Sequence, residues 1–297
     1  MKRTFLVAAA LAVASPALVS TAQAHVVCGD RVFPATLVLD DPGVGDEVSF
    51  PTVQYTHIPA AAGGGENTSY GFEWDKTITE HFGFAINGDY VVQRSGGSNE
   101  YGWDNFSLTL KDEFACSGVN EFAASIGVVR EFEHTGRNYL SKLGITDSVG
   151  KTVPTIYAGK GMGDILPGYL RPFAVTGEAA FAASDSPGIQ PNEWDYGFTL
   201  QYSIPYLDQH VKAMGLPEAF THLVPLVEVS LSSPHGQSTT GTYSPGILYE
   251  GDTWQVGIEA NIPVNHATWQ SQGIGFIAQF HLFLDDIFPE SLGKPIF

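Results

Sequence analysis

Ten residues of the chain that titrate near or away from neutrality fall at every-second-position sites within apolar–polar repeats. They are Glu73, Asp75, Asp89, Lys111, Glu178, Asp195, Glu228, Glu259, His281 and Asp285. Eight are carboxylic acids. On one face of a sheet such a set lines a surface, and carboxylates crowded into a narrow, low-dielectric passage attract cations and repel anions. The competing expectation is that Lys111 and several of the acids pair across that space and fill it, because buried charges find partners. Nothing in their spacing selects a reaction. The chain has no G-x-S-x-G, no P-loop and no H-E-x-x-H. The glycines at 159, 161 and 163 have no Rossmann strand and helix around them and read as a loop. The residues point to no enzyme and no cofactor.

The N-terminus supplies an address. Lys2 and Arg3 precede the apolar run from Phe5 to Ala14, and Ala22-Gln23-Ala24 forms an A-x-A cleavage site. Residues 1–24 are expected to be a secretory signal, cleaved after Ala24, and the run is too short for a spanning helix. Export bears on the two cysteines. Cys28 and Cys116 form an even number in an oxidising compartment, which favours a disulfide over a metal or redox site; two unlinked thiols are the alternative. It also exposes His25 as a mature N-terminal histidine, able to chelate copper through its amine and imidazole, with His57, His210, His222 or His266 as possible second ligands. No two histidines stand at H-x-H spacing, so this copper-binding reading ranks third.

The positioning elements are strands. Trp194, Tyr196, Phe198, Leu200, Tyr202 and Ile204 alternate with Asp195, Gly197, Thr199, Gln201 and Ser203. A period of two puts the two sets on opposite faces of a strand. The same rhythm runs through Tyr70 to Trp74, Phe82 to Tyr90, Phe106 to Leu110, Phe122 to Val128, Phe173 to Phe181, Leu223 to Leu231, Trp254 to Ile262 and Ile274 to Leu284. With a first strand near Val48 to His57 and others at Lys151 to Gly163 and Thr242 to Tyr249, the total is about twelve. Asp208 to Gly215 reads as a short helical insertion, and Gly136 to Val149 as an irregular stretch with room for a helix.

Alternation alone does not say which face meets solvent. In a secreted, soluble β-sandwich or barrel with a binding or structural role the apolar face is the core; in an outer-membrane barrel it faces lipid and the polar face lines a lumen. Three features favour the second arrangement. Charged residues make up 15% of the chain, against about 25% in soluble domains, and the polar positions are mostly Gly, Ser, Thr, Asn and Gln. The strands are long enough to cross a bilayer. Trp74, Tyr90, Trp103, Trp194, Tyr249 and Trp254 fall near strand ends, where their rings reach headgroups. The expected fold is all-β: a single antiparallel transmembrane barrel of about twelve strands with a polar lumen and short helical insertions. Residues 25–66 form an N-terminal periplasmic segment and first strand, and 67–297 the barrel. A net charge of −18 disfavours nucleic-acid binding.

Several segments, in order, resemble a known family. They are Gly102-Trp103-Asp104-Asn105-Phe106-Ser107-Leu108 leading to Lys111, Leu223-Val224-Pro225-Leu226-Val227-Glu228-Val229, Ser244-Pro245-Gly246-Ile247, and Trp254-Gln255-Val256-Gly257 ending in Asn261-Ile262-Pro263. Across Ser69 to Pro289 the chain is similar to the transporter family named for the phenol-degradation meta-pathway, outer-membrane barrels of Gram-negative bacteria. The resemblance implies an outer-membrane channel or transporter for small molecules, with hydrophobic or aromatic compounds as candidate solutes. It brings no catalytic residues. Outer-membrane lipid and, during biogenesis, the barrel assembly machinery are the partners it implies. One departure is that Phe297 is terminal while the last clear strand ends near Asp286.

Overall fold

A computed structural model describes residues 26–136 and 149–297. The expected signal segment, His25 and most of the Gly136–Val149 stretch lie outside the described residues. Two short strands, β1 (Val26–Cys28) and β2 (Arg31–Phe33), form an antiparallel ribbon. The remaining strands are β3 (Glu47–Ile58), β4 (Gly65–Thr79), β5 (Phe82–Ser95), β6 (Ser98–Trp103), β7 (Ser107–Ser117), β8 (Phe122–Glu131), β9 (Lys151–Gly161), β10 (Phe173–Ser184), β11 (Glu193–Tyr202), β12 (Leu223–Pro234), β13 (Thr240–Glu250), β14 (Trp254–Pro263) and β15 (Gly275–Phe283).

Each barrel strand pairs antiparallel with its sequence neighbour, and β15 pairs with β3, from Phe283 opposite Glu47 to Gly275 opposite Thr56. The sheet is therefore closed. β6 and β7 share one edge of β5, with Trp103 opposite Tyr90 and Ser107 opposite Asn87, so they act as one interrupted strand and the barrel has twelve. Closure leaves no edge, which is what hydrocarbon demands of a backbone that cannot hydrogen-bond to water. An even number of strands returns the chain to its starting end. Glu47 and Phe283 thus share one rim, here called the near rim.

The apolar faces point outward. Along β11, Phe198 is 50% exposed while its neighbour Thr199 is 0% exposed; along β14, Ile258 is 53% exposed and Glu259 2%. Gln201, Gln255, Asn261 and His281 are buried, and Trp194, Leu200, Val256, Phe276 and Phe280 are exposed. A soluble sandwich puts these rings in its core; this chain does the reverse. Aromatic clusters mark both ends of the band. Toward the near rim Tyr249 stacks on Trp254 with centroids 5.4 Å apart, and Trp254 on Phe280 at 6.2 Å. Toward the far rim Trp103 lies 5.5 Å from Tyr90 and from Phe106, and Phe181 lies 5.0 Å from Trp194.

Three local expectations shift. Gly159 and Gly161, read as loop, belong to the end of β9, where Gly159 pairs with Thr176 and Ala123. The helical insertion begins earlier than Asp208, with turns at Ile204–Tyr206, Leu207–Val211 and Glu218–Thr221. Ser203 starts it: its hydroxyl accepts from the Tyr206 N–H, and Pro205 fits the first turn. The last strand ends at Phe283, and Leu284–Ile287 turns into a helix with Asp285 and Asp286 in its first turn. The tail then returns to β4, where the Phe297 N–H donates to the Ile78 carbonyl at 2.9 Å.

If lipid is the solvent of the outer face, Ile258→Arg at mid-strand should destabilise the barrel by about 2–4 kcal/mol, read from denaturant unfolding in phospholipid vesicles. An unchanged midpoint would place that position at a water surface.

Candidate functional site: a plugged acidic lumen

The irregular stretch ahead of β3 reads from sequence as a periplasmic segment. In the structure residues 26–46 fold inside the barrel as a finger that enters from the near rim, reaches mid-lumen and returns to start β3. Its sequence suits this course. Pro34, Pro42, Gly43 and Gly45 break any regular element, and the backbone groups left unpaired are taken up by barrel side chains, as buried polar groups require.

The middle of the finger is held by Glu228 of β12. Its carboxylate accepts the N–H groups of Leu37 (2.8 Å), Val38 (3.2 Å) and Leu39 (2.9 Å). Glu228 is fully buried, and with the Thr199 hydroxyl as a fourth donor at 3.5 Å both of its oxygens are hydrogen-bonded, as burial of a carboxylate requires. Nearby, Gln255 donates to the Ala35 carbonyl at 2.7 Å, and the Ser125 hydroxyl donates to the Pro42 carbonyl. Leu37 packs on an apolar strip of the inner wall, Val224, Leu226, Leu248 and Ile277, so the lumen beneath the finger is not uniformly polar. Gly159 and Gly257 face inward where the finger passes. A Cβ at Gly159 meets the Phe33 ring and Pro42 at 3.0 Å, and one at Gly257 meets Leu37 at 2.7 Å.

At the near rim the finger is fastened again. Arg31 donates to Glu121 (3.0 Å) and to the carbonyls of Pro172 (3.2 Å) and Arg171 (2.7 Å), and its guanidinium lies 3.9 Å from the Tyr206 ring centroid. Tyr206 donates to the other Glu121 oxygen at 2.6 Å, and the Gly163 N–H adds a bond at 3.0 Å. Burial pushes the Glu121 carboxyl up, but the Tyr206 hydroxyl, the Arg31 charge and the Gly163 N–H outweigh it and hold the group below the usual glutamate range. Cys28 and Cys116 are joined as a disulfide with Cα atoms 5.6 Å apart, tying β1 to β7. At the return to the wall, Asp46 accepts from Lys76 at 2.5 Å and from the Thr77 N–H at 3.1 Å.

Above and beside the finger lies a cavity of about 470 Å³. Glu73, Asp75, Asp89, Lys111, Glu178, Asp195 and His281 line it together with Asp40, Asp41 and Glu47. Lys111 pairs with Asp40 at 2.9 Å, and the His281 Nε2 lies 2.5 Å from Glu47 while its Nδ1 is 2.9 Å from the Ser49 hydroxyl. The second lining cation, Lys151, is drawn to Glu131 and Glu193 at 3.5 and 4.0 Å. Glu73 accepts from Asn87 at 3.0 Å. The lining thus holds more carboxyl than basic groups after its own pairs are counted. A further cavity of about 440 Å³ toward the far rim is lined by Gln54, Thr56, Asn67, Ser69 and Gln93 among others.

The remaining sequence candidates lie elsewhere. Glu228 and Glu259 are buried in the wall, Glu228 under the finger. Asp285 stands past the end of β15 in the rim helix, where burial, with Asp286 beside it, pushes its carboxyl up to about 7. The residues sequence reasoning passed over are those of the finger and its anchors: Arg31, Leu37, Asp40, Asp41, Glu121, Arg171 and Tyr206. They lie outside the regular alternation, and the one signal available was the even pair Cys28 and Cys116 in an exported chain. The candidate copper partners are spread over both rims. His57 and His266 are at the far rim, and His210 and His222 in the β11–β12 connection, where His222 Nδ1 is 2.7 Å from the Glu250 carbonyl. Among the described residues the one group with three ligand-type atoms together is Cys28, Glu113 and Cys116, whose sulfurs are bonded to each other.

No known family model matches the chain, and no curated relative does. Among solved structures, an outer membrane channel from Pseudomonas putida F1 is similar with a TM-score of 0.50 at 11% identity, over 85% of this chain and 99% of that one. The KdgM porin gives 0.45 at 9% identity over 78% and 98%. LpxR from Salmonella typhimurium gives 0.46 at 8% over 80% and 99%. At such identities the likeness to the Pseudomonas putida channel establishes a shared fold, the outer-membrane type of β-barrel. The phenol-degradation family itself is not confirmed by these matches.

Two predictions follow from the finger's anchors. Glu228→Ala should speed hydrogen exchange at the Leu37, Val38 and Leu39 amides roughly 100-fold, the equivalent of about 3 kcal/mol for three charge-assisted bonds partly compensated by water; unchanged exchange would show that Glu228 does not hold the finger. Glu121 has a lowered pKa, so its contribution is complete above the ordinary glutamate value of about 4.3 and is lost as pH falls through the depressed folded value. Proteolysis of the finger should accelerate below about pH 4 in the native protein, and Glu121→Gln should flatten that response.

Proposed function

We propose that the chain is an outer-membrane channel or transporter for small molecules in a Gram-negative bacterium, exported on the signal segment 1–24 and surrounded by outer-membrane lipid, with no catalytic role. One observation carries this reading: a closed twelve-stranded barrel with its apolar face outward encloses cavities whose lining is polar and water-compatible. A barrel that served only as a scaffold in lipid has no use for such a lumen. Cations and neutral solutes are favoured over anions, because Lys111 and Lys151 already face carboxylates and the lining acids outnumber them. The apolar strip at Val224, Leu226, Leu248 and Ile277, with the Tyr157 ring in the cavity wall, supports a solute with an apolar or aromatic part. This agrees with the solute class implied by the family resemblance.

Planar-bilayer recordings of the full-length protein across a potassium chloride gradient test it. The reversal potential should have the sign of cation preference, and the combined change Glu73→Gln, Glu178→Gln and Asp195→Asn should reduce that preference. Anion selectivity, or no conductance under any condition, would contradict the channel reading.

A further inference from the structure

The finger is fastened at both ends. Its C-terminal end runs into β3 of the wall, and its N-terminal end is bonded through Cys28 to Cys116 of β7. Between the two, residues 29–46 reach Glu228 at mid-lumen. A segment held in this way stays at high local concentration beside its docking groove, so each undocking is short-lived. Cutting the sulfur bridge changes the situation, because residues 26–46 then become a free-ended tail hinged at Glu47. Docking must then offset the freedom of that tail.

The two sulfurs differ in access. Cys28 is fully buried, packed with Val26, Phe33, Ala123 and Ala174. Cys116 is exposed at the near rim, outside the finger. A nucleophile therefore reaches the Cys116 sulfur first, and Cys28 is the leaving group. Glu113 is the third member of this group, its carboxylate within 4.8 Å of both sulfurs.

We propose that the Cys28–Cys116 bridge is a redox latch on the lumen plug, opened by thiol–disulfide exchange with a dithiol reductant that approaches the near rim. A thiolate of the dithiol attacks the Cys116 Sγ, forming a mixed disulfide and breaking the bond to Cys28, whose sulfur leaves and takes a proton. The second thiol of the reductant then attacks the mixed disulfide and releases Cys116 as a thiol. Two electrons and two protons pass from the dithiol to the protein, and the reductant leaves as its own disulfide. The freed tail withdraws and uncovers Glu228 and the apolar strip of the inner wall. The latch as a control of permeation rests on the channel reading above; its release of the plug does not.

The test uses the full-length protein, folded with the bridge intact and then treated with dithiothreitol, so that assembly is not disturbed. Thiol titration confirms two free thiols, and two properties are read: hydrogen exchange at the Leu37 to Leu39 amides, and conductance in planar bilayers. Reduction should raise both the exchange rate and the open fraction by about tenfold or more, the minimum expected when tethering is lost. The Cys28→Ser, Cys116→Ser variant should match the reduced protein and ignore dithiothreitol. Unchanged exchange with both thiols free would overturn the latch whatever the conductance. Faster exchange without any conductance would uphold plug release and count instead against the channel reading.

Discussion

A backbone placed in hydrocarbon has no water to bond with, and that constraint organises the whole molecule. Each strand must be paired on both sides, so β15 must find β3, and the number of strands must bring the chain back to its starting rim. Each outward side chain must be apolar, which puts Phe198, Val256 and Ile258 outside and Thr199, Gln255 and Glu259 inside. The polar face has no other place to go. A lumen is thus a consequence of lipid as solvent, and the chemistry of the lumen is whatever the inward positions carry.

Those inward positions solve a second problem. A tube lined by acids is costly where it is dry, and the chain fills its near half with its own N-terminal segment. Glu228 spends its charge on three backbone N–H groups, Lys111 on Asp40 and Glu121 on Arg31. Buried ions seldom add net stability, but removing one partner of such a set is costly. This makes the finger's position specific. Leu37 on its apolar strip, and the small inward residues Gly159 and Gly257 that admit the finger, add shape to that specificity. What is left open is an acidic cavity on one side of the finger and a neutral polar one toward the far rim.

The barrel was legible in the sequence because its rule has a short period. Two-residue alternation places Trp194 and Asp195 on opposite faces without reference to anything distant, and Gln201, Gln255 and His281 are assigned inward by the same local pattern. Residues of the finger obey no such rule. Leu37, Val38 and Leu39 bond to a glutamate far along the chain, and Arg31 to Glu121, through contacts that only the closed barrel creates. Asp285 shows the limit from the other side: alternation extends past Phe283 on paper, but the adjacent acids at 285 and 286 suit a helix start, and the strand ends before them. The apolar inward residues Val224, Leu226, Leu248 and Ile277 break the alternation for the same reason, since they answer to Leu37 and not to a strand neighbour.

Spin labels placed one at a time at positions 256 to 259 of β14 test the inversion of faces most directly, with the protein in phospholipid vesicles and collision rates measured against molecular oxygen and a water-soluble nickel chelate. Labels at 256 and 258 should collide freely with oxygen, which concentrates in the hydrocarbon, and be shielded from nickel, while labels at 257 and 259 are shielded from oxygen. The opposite alternation, with 257 and 259 facing the surroundings and 256 and 258 packed against protein, would contradict the account.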